Sequence, residues 1–176
     1  MKRRYEQLIV DIQDYPSEGV VFKDITPALA DAEAFSQIVD DLAAHFQGLG
    51  VTKVVGAEAR GFLVGTAVAY KLKAGFVPAR KPGKLPRETI SENFDLEYGS
   101  STLEIHTDAL NGDDVVLIID DLIATGGTAE AMVKLVERSG AHLAGLGFFM
   151  ELAFLNPRAS VSEVTDVEIF SLVTVE

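Results

Sequence analysis

The chemistry-bearing residues concentrate in two short stretches. Val115-Val116-Leu117-Ile118-Ile119 runs directly into Asp120-Asp121-Leu122-Ile123 and then Ala124-Thr125-Gly126-Gly127-Thr128. Two carboxylates at the tip of a strand can accept hydrogen bonds from a vicinal diol or face a magnesium ion. The turn that follows opens a helix, and its backbone N–H groups, two hydroxyls and positive dipole end suit a phosphate. A plain structural alternative stands beside this: a strand leading to a helix capped by Thr125 or Thr128, with solvated acids. The second stretch is Gly56-Ala57-Glu58-Ala59-Arg60-Gly61-Phe62, a polar turn after a short β-branched run. Residues 80–87 add four basic side chains and no acid.

The elements that must carry these stretches follow from periodicity. Over 35–49, Phe35, Ile38, Val39, Leu42, Phe46 and Leu49 share one helical face, and Gly48 and Gly50 end it. Lys53 to Gly56 and Gly75 to Pro78 have the character of strands, with a small-residue helix from Phe62 to Leu72 between them. The continuous apolar run 115–119 fits a parallel strand buried on both faces. The helix after it places Ala129, Met132, Val133 and Val136 inward, and further strands are expected near 143–150 and 167–173. From Arg80 to Ser101 the chain is polar, with no helical period, and is expected to be a long functional loop. Alternating strand and helix predicts an α/β fold with a mainly parallel central sheet flanked by helices. Ligands of such sheets sit beyond the carboxyl ends of the strands, which directs attention to 57–61 and 120–128.

Length and charge bound the rest. A chain of 176 residues is expected to form a single domain, 1–176. Lys and Arg number 15 against 27 Asp and Glu, a formal charge of −12, which opposes a duplex nucleic-acid partner. A local basic patch can still hold a small anion. With no cysteine, neither a disulfide nor a thiolate metal site is available. His45, His106 and His142 show no ligand spacing. Asp11 and Asp14 interrupt the apolar residues after the basic N-terminus, and Glu151 interrupts the run 143–155, so a soluble cytoplasmic chain without membrane association is expected. There is no Gly-x-x-x-x-Gly-Lys-Ser/Thr, and Gly48-Leu49-Gly50 precedes a strand where a dinucleotide fingerprint would follow one.

The string 115–128 resembles the phosphoribosyl-pyrophosphate (PRPP) motif of type I phosphoribosyltransferases. Further segments are similar to the adenine-using branch of that family: Tyr15 to Pro27, Gly56 to Phe62, Arg80 to Pro86 and Asp95 to Gly99. The resemblance implies the type I phosphoribosyltransferase fold, with an N-terminal base-binding hood (1–34) and a mobile catalytic loop (80–101). It implies the reaction adenine + PRPP → AMP + pyrophosphate in purine salvage, with Mg2+ carried by PRPP, and a homodimer. On that basis Asp120 and Asp121 hold the ribose hydroxyls, with the metal nearby but no direct protein ligand to it. Ala124, Thr125, Gly126, Gly127 and Thr128 bind PRPP or AMP through the 5′-phosphate. Ala57, Glu58, Arg60, Arg80, Lys81 and Lys84 face pyrophosphate, Arg60 and Lys81 with a catalytic role, and Arg80 could instead serve a neighbouring subunit. Val21, Phe22 and Lys23 bind adenine, Glu97 handles the proton at purine N7, and Tyr98 closes the loop. Ala124 stands where oxopurine enzymes of the superfamily carry aspartate, which favours adenine over xanthine, the nearest enzyme alternative. A PRPP-sensing regulator is the alternative from another class, and residues 1–14 are too short for its DNA-binding module. Asn156-Pro157 departs from the Gly-Gly common in the family, which leaves the part played by Arg158 open.

Overall fold

The computed structural model describes residues 3–95 and 99–176. In chain order the elements are β1 (Val10–Gln13), β2 (Val21–Asp24), α1 (Thr26–Ala30), α2 (Ala32–Phe46), β3 (Lys53–Ala57), α3 (Gly61–Leu72), β4 (Gly75–Ala79), β5 (Thr89–Asp95), β6 (Ser100–His106), β7 (Val115–Ile123), α4 (Gly127–Arg138), β8 (His142–Leu152), α5 (Pro157–Ser162) and β9 (Ile169–Val175). Five strands form one parallel sheet in the order β4-β3-β7-β8-β9. The chain turns one way after β3 and the other way after β7. Between those two neighbours lies the point where connections diverge and leave a crevice at the strand ends.

The apolar run of β7 is continuous because both sheet faces are covered. Val116 and Ile118 point into a core completed by Met132, Val133 and Val136 of α4 and by Leu103 and Ile105 of β6. Leu117 and Ile119 point to the opposite core, against Ile38 and Leu42 of α2 and Val64 and Val68 of α3. Period-two alternation thus assigns neighbouring residues to different helices. The strand continues through both aspartates to Ile123, so the carboxylates stand on its last turn of pleat rather than in the loop.

Helix α2 begins at Ala32, where the Asp31 carboxylate accepts from Ala34 N at 2.9 Å, and ends at Phe46. Leu49, expected on its buried face, lies beyond the helix and is exposed. The stop comes at Gln47, which is extended, one residue ahead of the glycine. The expectation of an irregular 80–101 also needs correction, because β5 and β6 pair as an antiparallel hairpin. On β5 only Ile90 and Phe94 are apolar, enough to pack against the core cluster but too sparse to mark a strand in the sequence. A second hairpin, β1 with β2, stands apart from the main sheet.

Candidate active site

Strands β3 and β7 are adjacent and parallel, so the loops at their carboxyl ends open side by side. Residues 57–61 and 120–129, with Phe148 of β8, line one cleft of about 310 Å³. The two stretches singled out by residue type therefore form a common site.

The carboxylates are held close to the backbone. Asp120 and Asp121 are 7% and 5% exposed, and Asp120 Oδ1 accepts from Asp121 N at 2.8 Å. Burial, then the neighbouring Asp121 carboxylate, push the Asp120 pKa well above the ordinary carboxylate value. Arg60 supplies the counter-charge: its Nε lies 2.9 Å from Asp121 Oδ2. That approach is ionic rather than directed, and Asp121 Oδ2 has no hydrogen-bond partner among the described residues. A buried acceptor in that state suits an incoming hydroxyl.

The turn after β7 leaves the N-terminus of α4 without a side-chain cap. Gly126, with φ of 102°, takes the position before the helix. Neither Thr125 nor Thr128 fills the capping role that the structural alternative required, so the first-turn N–H groups remain open toward the cleft. A Cβ on Gly126 would stand 3.1 Å from Pro157 O and from Ser160 Cβ, so α5 walls the turn from behind. In front, Asp95 O would lie 2.8 Å from a Cβ on Gly127, which brings the end of β5 onto the start of α4.

The basic residues are placed unequally. Arg80 Nε donates to Glu58 Oε1 at 3.2 Å, and Lys81 N donates to the same oxygen at 2.8 Å. Burial raises the Glu58 pKa, but the Lys81 N–H and the Arg80 charge more than offset it, leaving the carboxyl below its ordinary value. Arg87 pairs with Asp108. The Lys81 and Lys84 side chains are exposed, make no ion pair among the described residues, and do not line the cleft. The Glu58–Ala59 peptide is cis.

Of the residues assigned to the base, Phe22 lies on β2 with its ring centroid 5.9 Å from Arg60 Cζ. Val21 is exposed, and Lys23 pairs with Asp11 across the hairpin at 2.7 Å. Because β2 has one strand neighbour, alternate residues turn their N–H and C=O away from β1. Glu97 and Tyr98 lie outside the described residues. Arg158, left open by the sequence, holds both oxygens of buried Glu151 at 2.7 Å through Nε and Nη2, and Nη1 donates to Ile169 O at 2.8 Å. It is committed to the wall and does not enter the cleft. Sequence reasoning reached Gly61 only as a member of the 57–61 turn, with no role of its own, and missed Phe148 and Ser160 as site-shaping residues, which carried no visible signal.

No group of three or more His, Asp or Glu among the described residues could hold a metal ion alone. The carboxylates that line the cleft are those of Glu58, Asp120 and Asp121.

Residues 26–173 match the family model described as a phosphoribosyl transferase domain. An adenine phosphoribosyltransferase of Solidesulfovibrio magneticus is 57% identical over 150 residues, covering 85% of this chain and 88% of that relative. The solved adenine phosphoribosyltransferase of Thermoanaerobacter pseudethanolicus superposes with a TM-score of 0.91 at 46% identity, over 97% of this chain and 98% of that one. The APRTase of Giardia lamblia, solved in complex with 9-deazaadenine, gives 0.92 at 36% identity, over 98% and 96%.

Proposed function

The chain belongs to the phosphoribosyltransferase family, and from that premise we propose how its cleft works. The protein transfers the ribose 5-phosphate group of PRPP to adenine, giving AMP and pyrophosphate. One observation carries the reading: an open helix N-terminus and a buried carboxylate pair line the same cleft, with Arg60 reaching from that pair to Phe22 of the outlying hairpin.

In this reading the N–H groups and hydroxyls of 124–128 bind the 5′-phosphate, and Asp120 and Asp121 accept from the ribose hydroxyls. The bond from C1 to pyrophosphate breaks with its electron pair on the departing oxygen, N9 of adenine takes its place, and one imidazole proton is lost. The sugar passes through an oxocarbenium-like state, so the protein's work is charge stabilisation and exclusion of water. Arg60, Arg80, Lys81 and Lys84 answer the charge gathering on pyrophosphate. Lys81 and Lys84, which make no close ion pair among the described residues, can reach it, Lys84 from a position where its charge already acts on Glu58. Glu97 receives the proton at N7, and Tyr98 closes the loop. Val21 and Phe22 supply the apolar contact in the hood (1–34), and backbone groups of Val21 and Lys23 read the purine edge.

Mg2+ would be carried in by PRPP, with Asp120 and Asp121 beside it and no direct protein ligand, since it keeps much of its hydration. When bound it neutralises leaving-group charge. The proposed homodimer draws on α3, where Leu63 and Tyr70 are 52% and 87% exposed beside Phe35 and Val39 of α2.

The test is a product assay with PRPP, Mg2+ and each purine in turn. AMP from adenine is expected; turnover confined to xanthine, guanine or hypoxanthine would overturn the choice of base.

A further inference from the structure

Arg60 touches two parts of the site that belong to different elements. It stands at the head of α3, its Nε 2.9 Å from Asp121 on β7 and its Cζ 5.9 Å from the Phe22 ring on β2. The β1–β2 hairpin has no strand pairing with the main sheet; β2 runs through buried Ile25 into α1, and the placing of its Phe22 ring beside the cleft is left to side-chain contacts. The Tyr15 ring, 5.2 Å from Phe22, belongs to the hairpin itself and cannot fix it to the sheet. Arg60 can, because the ion pair with a buried carboxylate anchors its guanidinium to β7. A planar guanidinium suits both tasks, one edge facing a carboxylate and one face lying on an aromatic ring.

We propose that Arg60 is a positioning residue for the purine: anchored on Asp121, it holds Phe22 in place and so makes base binding depend on the ribose carboxylate. This rests on reading the cleft as the ribose and purine site. It differs from a pyrophosphate contact in its consequence, because it acts in complexes that contain no pyrophosphate.

Two pyrophosphate-free ligands isolate the effect. Ribose 5-phosphate fills the carboxylate pair and the phosphate turn, and AMP carries the purine in place of the anomeric hydroxyl. The ratio of their dissociation constants, measured by calorimetry, is the affinity gained from the base. Arg60→Met is expected to cut that ratio about twofold to fivefold, the scale of one cation–π contact at an exposed site. Asp121→Asn is expected to cut it similarly, since any direct loss of ribose binding cancels between the ligands. In a Phe22→Leu background Arg60→Met is expected to add no further loss, and Arg60→Lys is expected to restore part of the ratio. Circular dichroism melts of each variant establish that it is folded. An unchanged ratio in folded Arg60→Met, or a loss that persists without Phe22, overturns the assignment while leaving the enzyme reading intact. Wild-type protein that binds AMP no better than ribose 5-phosphate overturns both.

Discussion

Gly61 and Asp120 are in direct contact: a Cβ on Gly61 would lie 2.5 Å from Asp120 Oδ1 and 3.1 Å from its Cγ. The first residue of α3 therefore sets how far the carboxylate can reach from β7. Gly61→Ala is expected to push Asp120 out of place and weaken AMP binding about tenfold or more, with the fold retained by circular dichroism. Calorimetric affinity at wild-type strength would show that the carboxylate has room the geometry denies it.

Asp120 predicts a pH dependence of stability. Its pKa is raised in the folded state by burial and by the Asp121 charge. Folding therefore favours its protonated form, and this contribution is lost as pH rises from the ordinary carboxylate range through the higher folded value. Asp120→Asn removes the ionisation while keeping the shape. Its unliganded melting temperature is expected to exceed that of the wild type at pH 7 to 8, about the range where assays are run, and to converge with it near pH 4, close to an ordinary carboxylate. A difference independent of pH would refute the titration of this site.

Arg158 and Glu151 form a two-point clasp across β8, α5 and β9. Arg158→Met would strand a carboxylate that is 2% exposed. The expected loss is about 3 kcal/mol, at the low end for a broken buried pair because the guanidinium is half in water. Urea denaturation measures it, and Arg158→Met/Glu151→Gln is expected to recover a substantial part. A loss below about 0.5 kcal/mol, the scale of neutral surface changes, would make the clasp incidental.

The exposed face of α3 predicts the oligomeric state. Light scattering is expected to report a dimer for the wild type and a monomer for Leu63→Glu/Tyr70→Glu, two charges placed where large apolar surface is exposed. A dimer that survives both changes would place the interface elsewhere.

Glu97 tests the proton step. Glu97→Ala is expected to lower turnover markedly while PRPP binding changes little, a split that marks a group acting in the transition state. Equal turnover would remove it from the mechanism.

Much of the architecture could be read from the residues alone. The run 115–119, the small-residue helix after Arg60 and the apolar face 129–136 identify themselves because burial on a sheet or under a helix imposes a period on side-chain type. The Asp120-Asp121 pair and the 124–128 turn were visible for the same reason, being polar residues at the end of a strand that burial would otherwise keep apolar. The β5–β6 hairpin was hidden, since a strand anchored by Ile90 and Phe94 leaves almost no period. Leu49 misled, because it continues the apolar face in sequence while the helix stops at Gln47.

The sequence by itself determined which groups are available: two adjacent acids, a glycine-rich turn and a basic stretch in an acidic chain. Only the tertiary structure decided their engagements. It turned Arg60 toward Asp121 and Phe22, tied Arg80 to Glu58, withdrew Arg158 into the wall and left Lys81 and Lys84 with no close ion pair among the described residues. Residue type and local spacing follow from short-range backbone geometry and can be read along the chain. Which charge meets which depends on how strands distant in sequence come to lie side by side, and no local pattern records that.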